Sequence, residues 1–259
     1  MKPELAIVKI GGNVIEDPAE LQRFLRHFSG IQHPKILVHG GGKRATEVGK
    51  KLGVEARMVA GRRITDTASL DVALMVYAGL VNKKIVGQLQ GLGCNAIGLS
   101  GADANIIQAC KRPIVDIDYG WVGDVEGINS KALMSLISAE LVPAFCAITH
   151  DQKGQMLNTN ADTIASELAI GLGEQFKVTL YYCFEKQGVL RDKDDDHSII
   201  PNINLEGYQQ LLADQIISDG MLPKLANSFR ALQAGVSRVC IGNTDMIASN
   251  PGRYTILSL

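Results

Sequence analysis

Between residues 35 and 44 the chain reads Lys-Ile-Leu-Val-His-Gly-Gly-Gly-Lys-Arg, and a helical pattern starts directly after the glycines. No other stretch constrains the fold as much. A short apolar run that ends in glycines reads as a strand. A strand that feeds straight into a helix aims backbone N–H groups and the positive end of a helix dipole at one point, which makes an anion site. Lys43 and Arg44 fall in the first helical turn, where the dipole disfavours positive charge. A second junction of the same kind comes earlier: Leu5-Ala6-Ile7-Val8-Lys9-Ile10 ends in Gly11-Gly12-Asn13. Such unbroken apolar runs suit strands covered on both faces, as in a parallel sheet. Lys9 interrupts the first of them and must either reach solvent or meet an anion.

Strand-like and helical patterns alternate along the rest of the chain. Asp17-Pro18 opens a helix to about residue 27, and residues 42–53 form another, closed by Gly53. After a short strand over 54–59, Asp66 or Thr67 caps a long amphipathic helix reaching about Gly91. Residues 106–128 read as short strands around a turn-rich hairpin at 118–123. A helix over 130–139, a strand over 142–148 and a small hairpin at 151–154 lead to Asn158-Thr159-Asn160-Ala161-Asp162 and a helix over 161–171. A central strand over 176–183 begins a second lobe, followed by a hairpin with the acidic tip 192–196. Helices at 204–213 and 221–234 and strands at 237–241 and 254–257 complete the pattern. Alternation of this kind predicts an α/β fold, a three-layer αβα sandwich with a mostly parallel central sheet. Two lobes are expected, 1–175 and 176–259. A chain of 259 residues is ample for either one large domain or two modest lobes.

Composition excludes several classes. A formal net charge of -1 leaves no electrostatic footprint for nucleic acid or an anionic membrane. No run is long and apolar enough for a membrane span, and the strand-like start leaves no room for a signal peptide. The five cysteines are scattered without a C-x-x-C pair, which predicts reduced thiols, no metal site and a cytoplasmic protein.

Two familiar anion motifs fail at the glycine stretch. A P-loop requires Ser or Thr after Gly42-Lys43, where Arg44 stands, and Leu37 occupies the position of its first glycine. Gly40-Gly41-Gly42-Lys43-Arg44-Ala45 does match a dinucleotide pattern, but Val59-Ala60-Gly61 supplies no acidic residue for a ribose. The wider set is more informative. It comprises Lys9, Arg63 in a turn after the third strand, and Lys224 near a helix N-terminus opened by Asp219-Gly220-Met221-Leu222-Pro223. Lysines, an arginine and glycine amides together suit phosphoryl transfer between two anionic molecules.

Seven segments carry a specific resemblance: Lys9-Ile10-Gly11-Gly12-Asn13, Val38-His39-Gly40-Gly41-Gly42, Gly61-Arg62-Arg63-Ile64-Thr65-Asp66, Gly98-Leu99-Ser100-Gly101, Gly123-Asp124-Val125, Asn158-Thr159-Asn160-Ala161-Asp162 and Asp219-Gly220-Met221-Leu222-Pro223-Lys224. In this order, across essentially the whole chain, the sequence resembles the acetylglutamate kinase branch of the amino-acid kinase family. The resemblance implies an N-terminal lobe that holds an acylated amino acid and a C-terminal lobe that holds ATP, around one continuous sheet. Lys9 and Lys224 would stabilise the phosphoryl group in flight, with Asp162 positioning both. Gly41, Gly42, Arg63 and Asn158 would hold an N-acylglutamate. Gly11, Gly12, Glu185, Gly188 and Leu190 would meet the nucleotide, with Mg²⁺ arriving on ATP. The product would be an acyl phosphate of arginine synthesis. An acceptor carboxylate is already ionised near neutral pH, so no general base is required.

Bland alternatives stand beside these roles. Lys9 could reach solvent. Asp162 could merely favour a helix N-terminus, with Asn160 as the cap. Side-chain chemistry does not separate Arg62 from Arg63; the resemblance selects Arg63. Trp121 could pack the hairpin or line the acyl pocket, the acidic tip reads as a solvated loop, and His39 reads as a brace for the glycine turn. Glu185 stands where relatives usually carry Asp. The absence of a helix before the first strand implies, through the resemblance, an arginine-insensitive homodimer with helix 67–90 at its face. A carbamate or succinylated substrate on the same fold, or a non-catalytic sensor, are the rival functions.

Overall fold

The two glycine junctions lie side by side. In a computed structural model that describes residues 1–59, 62–192, 194–217 and 221–259, β1 (Glu4–Ile10) and β2 (Lys35–His39) are adjacent parallel strands. Their register pairs Lys9 with Val38 and Ile10 with His39, so both strands run into their glycines at the same level. All five residues of β2 are buried, so both faces of the sheet are covered there. That explains why the run lacks apolar–polar alternation.

Between them, α1 (Gly12–Glu16) follows the first glycines and α2 (Pro18–Ser29) runs back along the sheet. Asp17 caps α2, its Oδ1 accepting from the N–H groups of Ala19 and Glu20 at 2.9 and 3.1 Å, and Pro18 opens the first turn. The buried side of α2 is Leu21, Phe24, Leu25 and Phe28, the spacing of one helix face. Each contributes roughly 1.5–3 kcal/mol by leaving water. Next come α3 (Gly42–Lys51), the hairpin of β3 (Arg57–Val59) and β4 (Arg62–Ile64), and α4 (Thr67–Ala73). The strand expected over 54–59 begins only at Arg57 because the Val54 N–H still donates to Gly49 O at 2.8 Å, closing α3.

Asp66 caps α4, its Oδ1 accepting from Ser69 N–H at 2.8 Å. The long helix expected from there to Gly91 is present but not uniform. Its middle, Leu74–Val81, is π-helical, and α5 (Asn82–Gly91) resumes the ordinary pitch. The N-terminal part continues with β5 (Ala96–Leu99), β6 (Ile107–Lys111), β7 (Gly123–Ile128), α6 (Ser130–Ser138), β8 (Val142–Cys146), β9 (Ile148–His150), β10 (Met156–Asn158) and α7 (Ala161–Leu172). The C-terminal part holds β11 (Lys177–Cys183), β12 (Asn202–Ile203), α8 (Leu205–Ala213), α9 (Met221–Gln233), β13 (Arg238–Gly242) and β14 (Thr255–Leu257).

Eight strands form the main sheet in the order β12-β14-β13-β11-β1-β2-β8-β5, parallel except where β14 meets β13. One sheet therefore passes through both halves of the chain, with the strands after residue 176 all on one side of β1. A second sheet, β10-β9-β6-β7, stands apart from it. Helix α7 lies against β1, β2 and β11, while α5 lies against β5 and β8. From β1 the chain moves to β2 on one side, and β11 later pairs on the other. In an open α/β sheet, the crevice at the strand ends where direction switches is where ligands bind.

The hairpin expected from Gly188 is narrower than a strand pair. Leu190 bridges Ile199 and Arg191 N–H donates to Ser198 O at 2.8 Å, while Asp192, Asp194, Asp195 and Asp196 of the acidic tip are exposed, Asp196 pairing with Lys186 at 2.6 Å. Lys193 of that tip lies outside the described residues, as do Gly61, Asp219 and Gly220 of the quoted motifs. Among the described residues no helix is long and apolar enough to cross a membrane.

Candidate active site

The carboxyl ends of β1 and β2 open into a cleft of about 480 Å³. Its walls include Lys9, Gly11, Gly12, the turn Gly40–Gly42, Glu185 and Lys224. Residues from both ends of the chain converge on Asp162 at its base. Lys9 Nζ lies 2.7 Å from Asp162 Oδ1, and Lys224 Nζ lies 3.1 Å from Oδ2. The three side chains are only 13%, 11% and 20% exposed, in the order Lys9, Lys224, Asp162, so this is a nearly dry bridge.

Local sequence explains how each group arrives. Lys9 is the second-last residue of β1. Lys224 sits in the first turns of α9, and its ammonium stands 4.8 Å above the Tyr182 ring on β11. Asn160 caps α7, its Oδ1 accepting from Asp162 N–H at 2.7 Å and Thr163 N–H at 3.1 Å. The cap and the bridge are thus two jobs done by two residues, and the Asp162 carboxylate is left free for the lysines.

Burial alone would raise the Asp162 carboxyl, but the charges of Lys9 and Lys224 and their hydrogen bonds hold it well below the usual carboxylate range. Burial lowers Lys224, opposed by Asp162 and reinforced by Lys9. Two ammonium groups against one carboxylate leave the cleft floor with a net positive charge, which suits a polyanion.

The glycine turn is braced from behind. His39 is fully buried, with Nδ1 2.8 Å from Gly40 O and Nε2 3.0 Å from Asn82 Nδ2. Nδ1 therefore carries the hydrogen and Nε2 accepts. Burial lowers this imidazole to about 4, opposed by its bond to Gly40, so it stays neutral and is no proton donor at neutral pH. Arg63 on β4 reaches the same turn, donating to Gly42 O at 3.0 Å and Thr46 Oγ1 at 2.7 Å. Asn158 lies close by, with Nδ2 donating to Thr65 Oγ1 at 3.0 Å and its backbone N–H donating to Trp121 O at 2.9 Å. The Trp121 indole donates to Thr67 Oγ1 at 3.2 Å, which ties the 112–122 hairpin down beside Arg63 and Asn158.

On the other wall, the Gly11 N–H donates to Cys183 O at 3.1 Å, locking the first glycine turn to the end of β11. Gly188 and Leu190 do not share this cleft lining. A Cβ on Gly188 would meet Thr255 Oγ1 at 2.7 Å and Ile199 at 2.8 Å, which gives that glycine a packing role. Two residues given no site role from the sequence also line the cleft. Asn13 accepts from Lys43 Nζ and donates to Glu185, so an unbroken chain of polar groups crosses the mouth from the start of α3 to the residues after β11. A polar residue straight after a glycine pair and a lysine at a helix start were the available signals. Among the described residues no three His, Cys, Asp or Glu side chains converge to hold a metal ion.

The profile of the amino acid kinase family matches residues 4–243. The chain belongs to this family. An acetylglutamate kinase of Phocaeicola vulgatus is 54% identical over 257 residues, covering 99% of both chains. One from Bacteroides fragilis is 52% identical over 252 residues, 97% of each. Among solved structures, N-acetylglutamate synthase from Neisseria gonorrhoeae, complexed with coenzyme A and N-acetylglutamate, superposes with a TM-score of 0.83 at 19% identity. That match covers 99% of this chain and 59% of that one. The relation to the synthase is one of fold. The amino acid kinase fold, a kinase by family and by its relatives, is the frame in which the bridge of Lys9, Asp162 and Lys224 has to be understood.

Proposed function

We propose that the cleft transfers the γ-phosphoryl group of ATP to the γ-carboxylate of N-acetyl-L-glutamate, giving an acyl phosphate for arginine biosynthesis. The observation that carries this reading is the dry bridge of Lys9 and Lys224 on Asp162 between two glycine turns. Identity above 50% along nearly the full length of acetylglutamate kinases supports the choice of substrate. A carboxylate oxygen attacks phosphorus as the bond to ADP breaks, and ADP leaves with the electron pair. Two anions must be brought together, so the protein's task is alignment and charge neutralisation.

Lys9 and Lys224 face the transferring group from below, and Asp162 holds both ammonium groups in place. The amides of Gly41 and Gly42, with Arg63 and Asn158, hold the acyl amino acid, the guanidinium pairing with a carboxylate. The amides of Gly11 and Gly12 admit the nucleotide phosphates, and Glu185 flanks them. The donor set fits a Mg²⁺ brought in on the phosphates, since such an ion needs one or two protein carboxylates at most. When bound, it neutralises phosphate charge. The lobe 1–175 holds the amino acid and 176–259 the nucleotide. We assign the chain to a homodimer formed through residues 67–90, where Met75 is 53% exposed. Five unpaired cysteines support a reducing, cytoplasmic location.

The test is hydroxylamine trapping of the acyl phosphate with ATP and N-acetylglutamate, with N-succinylglutamate in parallel. ATP-dependent hydroxamate from the acetyl substrate is expected. No hydroxamate from either substrate, with ATP binding retained, overturns the reading.

A further inference from the structure

The π-helical segment Leu74–Val81 stands directly behind the glycine turn, and its geometry has a specific effect. An α-helix turns 100° per residue, so positions i and i+5 lie about 140° apart around its axis. In a π-helix the i and i+5 residues bond to each other and share a face. Tyr77 and Asn82 are such a pair, and the Asn82 N–H donates to Tyr77 O. Both point at the same object. The Tyr77 ring forms the floor under Gly41, where an added Cβ would lie 2.8 Å from Tyr77 Cδ1. Asn82 Nδ2 donates to Ala144 O at 2.8 Å and meets His39 Nε2, bracing the end of β2. Val81 closes the gap between them, 3.5 Å from the same Gly41 position.

Tyr77 carries one group beyond what a floor requires. It is 5% exposed, and its hydroxyl lies near Gly42, where an added Cβ would be 3.8 Å away. Burial raises the phenol, opposed by the charge of the nearby Arg63. It is therefore a neutral hydroxyl beside a guanidinium that also donates to Gly42 O and Thr46 Oγ1. Two neutral oxygens accept from Arg63 beside the same glycine that the Tyr77 hydroxyl approaches, and neither neutralises it, which leaves its charge available to an anionic substrate.

We propose that Tyr77 is a positioning residue for the acceptor substrate: its ring sets the height of the Gly41 amide, and its hydroxyl fixes the direction of the Arg63 guanidinium. The inference rests on the reading that Arg63 holds the substrate's carboxylate. A phenylalanine at this position keeps the floor and removes only the director, so the two roles can be separated.

The experiment is steady-state kinetics of Tyr77→Phe, Tyr77→Leu and Arg63→Ala with ATP and N-acetylglutamate, together with thermal unfolding. Tyr77→Phe should raise KM for N-acetylglutamate about three- to tenfold, the effect of losing one modest hydrogen bond. KM for ATP and the unfolding temperature should stay unchanged. Tyr77→Leu should raise KM for N-acetylglutamate further and lower kcat, since the floor is lost as well. If Tyr77→Phe leaves KM for N-acetylglutamate unchanged, or raises KM for ATP equally, the proposal is overturned. So too is it if thermal stability alone falls. Arg63→Ala separates the two levels: if it leaves KM for N-acetylglutamate unchanged, the site reading itself fails. If it raises KM and Tyr77→Phe does not, only the role of Tyr77 fails.

Discussion

Asp162→Asn removes one charge and almost no volume, so it isolates the electrostatics of the bridge. In the wild type, two ammonium groups 11–13% exposed share that carboxylate at 2.7 and 3.1 Å. Stranding a buried charge costs roughly 3–5 kcal/mol. The variant has one escape, which is to shed a proton from Lys224, already lowered by burial. Shedding it at pH 7.5 from an ordinary lysine value near 10.4 costs about 4 kcal/mol, at about 1.4 kcal/mol per pH unit, so that cost caps the loss. The expected deficit is therefore about 3–4 kcal/mol at pH 7.5. The sign with pH follows from proton counting. In the variant the folded lysine is deprotonated while the unfolded one is still protonated, so the unfolded state binds more protons and stability rises with pH. Relative to wild type, the deficit should shrink by up to about 2 kcal/mol between pH 7.5 and 9. Urea unfolding of both proteins at the two pH values, without ligands, measures it. A deficit under about 1 kcal/mol at pH 7.5, or one that does not shrink by pH 9, refutes the reasoning.

Other outcomes follow from the same structure. Lys9→Ala and Lys224→Ala should each lower kcat by roughly 10²–10³, the usual loss when one preorganised donor to developing charge is removed, with the fold intact by circular dichroism. On acidification, the carboxyl depressed by the two lysines contributes stability above its unfolded value of 3.8. Wild type should therefore lose that contribution as pH falls below about 4, and the gap to Asp162→Asn should close there in acid unfolding curves. Gly98→Ala would put a Cβ 1.9 Å from Asn82 Oδ1, whose amide is held by His39 and Ala144. It should cost about 1–3 kcal/mol by denaturation, since the buried amide has nowhere to go. Asp17→Ala should cost about 0.5–2 kcal/mol through the lost cap of α2, while kcat and both KM values stay unchanged.

The sequence made some parts of this site plain and hid others. The strands of Lys9 and His39 were legible because an apolar run ending in glycine has few alternatives, and their neighbour relation follows once the sheet is parallel. Asp162 was ambiguous because a carboxylate in a first helical turn is stabilised by the dipole anyway. Its role emerges only when Lys9 and Lys224, far apart in the chain, meet on it. Arg63 and Arg62 look alike in sequence and separate only when the β3–β4 hairpin directs Arg63 to Gly42 while Arg62 is exposed. The π-helical stretch was illegible for a physical reason. Leu-Met-Val-Tyr-Ala-Gly-Leu-Val is apolar on every side, so periodicity carries no record of a change in pitch. Contacts across the cleft mouth, such as Asn13 with Glu185, depend on tertiary placement and leave no local trace.

The alignment of Ile10 with His39 has a consequence for how such a catalyst can diversify. Neighbouring strands in any sheet are about 4.8 Å apart, a distance set by backbone hydrogen bonds and indifferent to side chains. The two glycine turns follow strands held at that spacing. The separation of the two strand ends is thus set by the backbone itself. The hairpin of β3 and β4 lies outside that sheet, so its sequence can be rewritten while the two strand ends keep their spacing.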